Sequence, residues 1–451
     1  MKTDRNPDAA AIPAVGPLKV SRLPKVVEHT TPNGIAVHAV RRATVPLVEV
    51  RLRIPIAQGR GGGDGVRERV LAESLLSGTA TRSAVDIASE LQRLGATMGV
   101  NVGLEQFMLA GSVLAPNLTA YLELLGDVLG AASFPKPEVE VQRGRVAQEL
   151  SIAHTQPGSI AAQAVAGRLY PDHPYGRPLP DPAAASAVTP AALRRFYSDR
   201  VRPGGAELVV VGDVRPARLF AAADKALSAW ESGGKPVVTV PAPPPPEPGA
   251  ILIVDRPGSV QTSIRMAGTA TTRHDPQHPA VLVAETALGG YFSSRLNHNL
   301  REDKGYTYGA HSGVEHRLQG SHVVISADVA TGVTAPALAE MQYELARMAT
   351  GPLTTDELRS AQRYRNGQMA LGTQSQVGFA SFLSTLLPFG LGVEYLRDLP
   401  AAIERVTVEE AADAARRYLA PNRLVTVLVG DAAVIAPQVE ALAPVEVRSS
   451  S

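Results

Sequence analysis

The run 241-PAPPPPEPGA-250 sets the tightest limit on what this chain can fold into. Its prolines hold φ near about −65° and remove backbone donors, so it is neither helix nor central strand but an extended, semi-rigid spacer. It lies near the middle of 451 residues, and the two sides resemble each other. Val188-Thr189, Pro203 and 211-VGD-213 recur 218 positions later as Val406-Thr407, Pro421 and 429-VGD-431. In each copy a threonine N-caps a helix (189-TPAALRRFYSDRV, 407-TVEEAADAARRYL), and a proline turn leads into a β-rich run (207-ELVVVGDV, 424-LVTVLVGDA). The spacing predicts a duplicated domain of about 210 residues: a flexible arm over 1–25, one domain over 26–235, the linker over 236–250 and a second domain over 251–445.

Composition then removes whole classes of function. With 45% hydrophobic residues the chain can bury a full core. Lys plus Arg (44) nearly cancel Asp plus Glu (43), leaving no basic field for a nucleic acid or an anionic membrane. Cysteine is absent, which excludes disulfides, thiol nucleophiles and thiolate metal sites, so a metal would need His and carboxylates. No run of 18 apolar residues occurs, and MKTDRNPDAAAIPAVGPLKV has no signal-peptide core. The cytoplasm is the expected compartment, or the periplasm where a leader has been removed.

Within the first half, 66-VRERVLAESLLSGT-79 reads as a helix over 66–77 stopped by Gly78, with Val66, Val70, Leu71 and Leu75 on its apolar face. Arg69, Ala72, Glu73 and Leu76 turn another way, and Arg69 and Glu73, four apart, suit an ion pair. In 83-SAVDIASELQRLG-95, Ser83 caps, Val85, Ile87, Leu91 and Leu94 pack, and Gly95 stops. Two β-prone runs around Leu104-Glu105 make a hairpin over 96–115, and long helices follow from about 117 and about 137. Hairpins between helix pairs predict α+β with an antiparallel sheet in each half.

The stretch 287-ALGGYFSSRLNHNLREDKGYTYGAHSG-313 carries the most chemical character. A helix with Phe292, Leu296 and Leu300 on one side presents Arg301 near its end, and after Gly305 a strand carries Tyr306 and Tyr308 on one face. The run L-R-E-D-K-G-Y-T-Y resembles the substrate-binding segment of the pitrilysin and mitochondrial processing peptidase (inverzincin) family. The repeated halves, the linker, 173-HPYGRP-178 and both VGD strands fit in order, so the resemblance spans roughly 28–432. It implies two homologous domains facing each other as a clamshell. It also implies an Arg and a Tyr, here Arg301 and Tyr308, that bind substrate and assist catalysis at a zinc site contributed by another domain.

Cleaving members of that family carry H-x-x-E-H on the first-domain helix, with two histidines on zinc and the Glu as general base. Counted back from Gly78-Thr79, those positions are Arg69, Ala72 and Glu73. A guanidinium repels a divalent cation and a methyl group accepts no proton. The family's third ligand, a Glu on a later helix, matches Glu149, for which pairing with a nearby Arg is the simpler role. Elsewhere His274 and His278 are separated by Pro276, and His311 and His316 are five apart, so no histidine pair restores a site. The segment 59-GRGGGDG-65 lacks a G-K-[ST] ending and reads as a turn. Gly289-Gly290 read as a joint that places the next helix.

No metal or cofactor is therefore expected in this chain, and zinc is expected in a partner. The resemblance implies the non-zinc subunit of a heteromeric zinc metallopeptidase, closing the chamber against a homologous H-x-x-E-H subunit and lending Arg301 and Tyr308 in trans to hydrolysis of a peptide substrate. Two alternatives remain at this point: a purely structural subunit like the core proteins of respiratory complexes, and a stand-alone peptide-binding module.

Overall fold

A computed structural model describes residues 23–56, 63–231 and 240–449. Most of the expected N-terminal arm, the core of the 59–65 glycine segment and part of the linker lie outside the described residues.

The first half runs β1 (Val26–Thr30), β2 (Ala36–Arg41), β3 (Leu47–Pro55), α1 (Gly63–Ser74), α2 (Ala84–Arg93), β4 (Thr97–Val102), β5 (Gln106–Leu114), α3 (Leu118–Ala131), α4 (Lys136–Thr155), α5 (Pro157–Leu169), α6 (Pro190–Arg200), β6 (Glu207–Gly212) and α7 (Pro216–Ala226). The second half runs β7 (Ile251–Asp255), β8 (Gln261–Ala270), α8 (His278–Glu285), β9 (Ala310–Arg317), β10 (Gly320–Ala330), α9 (Thr334–Thr350), α10 (Thr355–Gln374), α11 (Gln376–Leu386), α12 (Val393–Arg405), α13 (Val408–Tyr418), β11 (Val425–Gly430), α14 (Ala432–Val439) and β12 (Val445–Ser449). The expected α+β architecture is present as two six-stranded sheets, ordered β1-β2-β6-β3-β5-β4 and β12-β7-β11-β8-β10-β9, each packed against helices.

Most neighbouring strands are antiparallel. The β2–β6, β7–β11 and β7–β12 pairs are parallel. β6 and β11 return to the sheet only after long helical excursions, and such crossovers permit parallel pairing where a tight hairpin does not. The period-2 pattern of β3 explains its seat: Val48, Val50, Leu52 and Ile54 enter the core of the first half. The alternate residues Glu49, Arg51 and Arg53 are also buried, and they survive there through ion pairs, Arg51 with Glu49 at 2.9 Å and Arg53 with Glu207 at 3.2 Å.

The halves are joined by an exchange of helices. α5 of the first half lays Ala161, Val165 and Leu169 on Leu252, Val427 and Val429 of the second sheet. α11, its repeat counterpart, lays Phe379, Ala380 and Leu383 on Val40, Val209 and Val211 of the first sheet. Arg42 strengthens the second contact by donating to the carbonyls of Thr373 and Gln374, both at 2.7 Å, where the negative end of α10 would otherwise lack donors.

Several local expectations hold. Ser83 caps α2 in a reciprocal box with Asp86, Thr407 caps α13 with Glu410, Thr189 caps α6, and β4 and β5 form the hairpin. Two need correction. Val85 is 73% exposed because it lies in the first turn of α2 on the side away from Ile87. α1 ends at Ser74, and Gly78, at φ +150°, is no helix stop but part of an isolated bridge to Ser83, where a side chain would press on Pro135 and the Arg82 carbonyl.

Candidate functional site

α1 buries Val66, Val70 and Leu71, as its spacing requires, with Leu75 buried just past its end, and this fixes where the other face points. Arg69 is exposed, Ala72 is buried and Glu73 is half-buried. The expected Arg69–Glu73 pair does not form, and among the described residues Arg69 makes no ion pair. Glu73 reaches across to α4 instead, where Arg145 Nη1 lies 3.3 Å from its carboxylate. The same guanidinium donates through Nε to Glu149 at 3.0 Å, so the arginine expected beside Glu149 is Arg145. Glu149 first, then Glu73, push the Arg145 pKa above its ordinary value, which keeps the bridging guanidinium charged.

This donor set does not fit zinc. A tetrahedral N/O site needs three or four lone-pair donors converging on one point. Here two carboxylates converge on a guanidinium, no imidazole stands on α1, and no side chain at position 72 can activate water. Among the described residues no group of three or more His, Cys, Asp or Glu is arranged to hold a metal. His274 is exposed and meets the Phe389 carbonyl at 2.7 Å, whereas His278 is buried beside Thr271, so these two rings serve different environments.

One turn before Ala72, α1 carries Glu68, a residue the sequence pattern did not single out. It is 2% exposed, and Arg177 of 173-HPYGRP-178 donates to it at 2.8 Å. The rest of that segment is equally engaged. His173 accepts from the Tyr175 N–H at 3.2 Å and donates from Nε2 to the Pro241 carbonyl at 2.8 Å. Tyr175 donates to Glu105 and accepts from the Gln319 N–H at 3.1 Å in the β9–β10 turn. HPYGRP thus ties α1, the first hairpin, the linker and the second half together.

In the second half Gly289 allows β9 to approach, since a Cβ there would lie 2.8 Å from the Ser312 nitrogen. α8 continues through wider π-type turns to Gly290, and the chain breaks at Tyr291, so the glycine pair does mark a joint. Leu296 and Leu300 are buried as expected, but Phe292 lies before the next helix and is 64% exposed. It is not idle: the Arg301 guanidinium sits 4.0 Å from its ring centroid, and Glu302 lies 3.2 Å from the same group. β9 starts only at Ala310, so Tyr306 and Tyr308 precede the strand and do not share a face. Tyr306 packs on the core, whereas Tyr308 is 97% exposed. Arg301 and Tyr308 make no hydrogen bond or ion pair with Glu73, Arg145 or Glu149. The Glu73–Arg145–Glu149 bridge is thus closed on itself, whereas Arg301 is engaged by Phe292 and Glu302 and the Tyr308 side chain is exposed.

Two domain-level matches define the class. Residues 71–183 match the insulinase (peptidase family M16) model, and residues 187–364 match the peptidase M16 inactive domain. The chain belongs to peptidase family M16. It is similar to an uncharacterized zinc protease of Mycobacterium leprae, 26% identical over 412 residues covering 89% of this chain and 91% of the relative. Another uncharacterized zinc protease, from Streptomyces coelicolor, is 26% identical over 315 residues, 67% of each chain. Among solved structures, a peptidase M16 inactive domain from Pseudomonas fluorescens superposes with a TM-score of 0.83 at 24% identity, covering 90% of this chain and 98% of that one. A protease from Helicobacter pylori gives 0.82 at 20% identity, covering 90% and 100%. Among the described residues no single helix is long and apolar enough to cross a membrane.

Proposed function

We propose that this chain is the non-zinc subunit of a heteromeric M16 metallopeptidase, binding an extended peptide and lending Arg301 and Tyr308 to a zinc site held by a homologous H-x-x-E-H subunit. The observation that carries the reading is the contrast between the two sites. Where the family resemblance expects zinc, the side chains form the Glu73–Arg145–Glu149 bridge, while the Tyr308 side chain is exposed and the Arg301 guanidinium lies over the Phe292 ring. An exposed phenol with no internal partner is suited to donate to an oxyanion, and a guanidinium to clamp a carbonyl or carboxylate. Metal chemistry would come from the partner; this chain binds and orients the peptide. Among the described residues β4 is a sheet edge paired only with β5, which leaves backbone groups for an added strand.

The test is co-expression with an H-x-x-E-H homologue from the same genome. The isolated chain should retain no stoichiometric zinc and cleave no peptide, and the complex should cleave. Tyr308→Phe should lower turnover of the complex by roughly 10²–10³-fold. Chelator-sensitive hydrolysis by the pure chain, or unchanged turnover of the variant complex, overturns the proposal. The open β4 edge also supports a second reading, peptide binding without any partner. Peptide affinity of the isolated chain equal to that of the complex would favour it.

A further inference from the structure

A second feature, independent of the peptidase reading, lies inside the second half. Between α8, α10, α11 and α12 is a cavity of about 510 Å³. Leu282, Met369, Phe382, Leu386, Leu396 and Leu399 form its apolar wall. Arg273, Arg365, His316 and Tyr395 gather at its polar part.

The charges there do not balance. Arg365 has a carboxylate neighbour, the 1%-exposed Glu285, at 3.9 Å. Among the described residues Arg273 makes no ion pair; its guanidinium lies 5.5 Å from the Phe389 ring centroid, and its buried Nε has no hydrogen-bond partner. The buried Tyr395 hydroxyl lies close enough to Arg273 for the two to interact, yet it too has no hydrogen-bond partner of good geometry, and a neutral phenol supplies no counter-charge. A secluded cation that lacks a counter-charge is costly, and it is relieved when an anion arrives with its own apolar body to fill the space. The neighbouring histidines register the same positive field. Burial, then the charges of Arg273 and Arg365, hold His278 down at about 3, and burial followed by Arg273 and His278 holds His316 at about 2. Both rings are neutral, so the cationic donors are the two arginines.

We propose that this cavity binds a small amphipathic carboxylate, its head on Arg273 and the Tyr395 hydroxyl and its tail along the leucine-lined wall. A phosphate fits less well, because a dianion needs more charged donors than one guanidinium without an ion pair, and the leucines, Met369 and Phe382 would be left facing its charge. Two sources share the required chemistry: the carboxylate of an acyl chain, and the free C-terminus of a short apolar peptide.

Calorimetric titration of the full chain tests this with decanoate against decanol, and with acetyl-Ala-Leu-Leu against its C-terminal amide, inorganic phosphate serving as a control. At least one carboxylate should bind about tenfold or more tightly than its uncharged counterpart, and the one that does identifies the source. Phosphate should not bind. Arg273→Met, which removes the unpaired cation and keeps an apolar stem, should lose about tenfold or more of that affinity. Tyr395→Phe should lose about threefold to tenfold and serves if the first variant does not fold. Neither carboxylate binding below about 1 mM, equal binding of charged and uncharged members, or undiminished binding by the folded variants would overturn the proposal.

Discussion

Arg177→Met isolates the clasp between α1 and the HPYGRP segment. The substitution keeps the aliphatic stem but removes the guanidinium that donates to Glu68, and it leaves that carboxylate secluded from water. Removing one partner of a buried, hydrogen-bonded pair costs about 3–5 kcal/mol. The Glu68–Arg177 contact is 2.8 Å, with side-chain exposures of 3% and 13%, which places the expected loss near the lower end of that range, about 3 kcal/mol. For a unit of this size the loss corresponds to a Tm lowered by roughly 6–12 °C. Trp230, the only tryptophan, is buried in the core of the first half, so its fluorescence in a urea titration reports on this half. The double variant Glu68→Gln/Arg177→Met should recover about half of the loss, because the stranded charge is gone. A single variant within about 0.5 kcal/mol of the parent chain, or a double variant no better than the single, would refute the reasoning.

Other perturbations reach different parts of the molecule. His278 is held at about 3, first by burial and then by Arg273 and Arg365, against about 6.5 in the unfolded chain, so the folded state binds fewer protons. Its contribution is complete above pH about 6.5 and declines as pH falls toward 3, by up to about 1.4 kcal/mol per pH unit. His278→Asn should flatten that acid slope in urea titrations between pH 4.5 and 6.5, and an unaltered slope would contradict the assignment. Phe379→Ala should cost about 3–5 kcal/mol. Although it belongs to α11, its loss should lower the Trp230 transition as well as hydrogen-exchange protection in the second half; an unaffected Trp230 signal would mean that α11 does not support the first sheet. Phe292→Ala should leave stability within about 0.5 kcal/mol but raise the KM of the partnered complex about twofold to fivefold, the worth of an exposed cation–π contact. No change in KM would separate Phe292 from Arg301 positioning.

Much of the architecture was legible because it is written in local signals. The caps at Ser83, Thr189 and Thr407, the apolar spacing of α1, the hairpin around Leu104-Glu105 and the repeated VGD strands each depend on residues a few positions apart. What escaped depends on neighbours far along the chain. Glu73 chooses Arg145, on another helix, over Arg69 one turn away, and periodicity cannot rank those two partners. The exposed tip of Tyr308 follows from β9 starting at Ala310, a boundary set by pairing with β10 rather than by local propensity. Glu68 carried no readable sign of its burial, although a lone acid one helical turn from an apolar row, with an unassigned arginine in HPYGRP, was the available hint. The expectation about the zinc positions, by contrast, does not depend on distant neighbours, since Arg69 and Ala72 carry no metal-ligating or proton-accepting group in any fold.

The exchange of α5 and α11 governs how this polypeptide can be made and cut. A nascent first half leaves Val40, Val209 and Val211 uncovered until the C-terminal portion has been synthesised, so it should be prone to association during translation. Scission of the proline linker should for the same reason leave the fragments clasped together under native conditions, while either fragment produced alone would present a naked apolar sheet and aggregate.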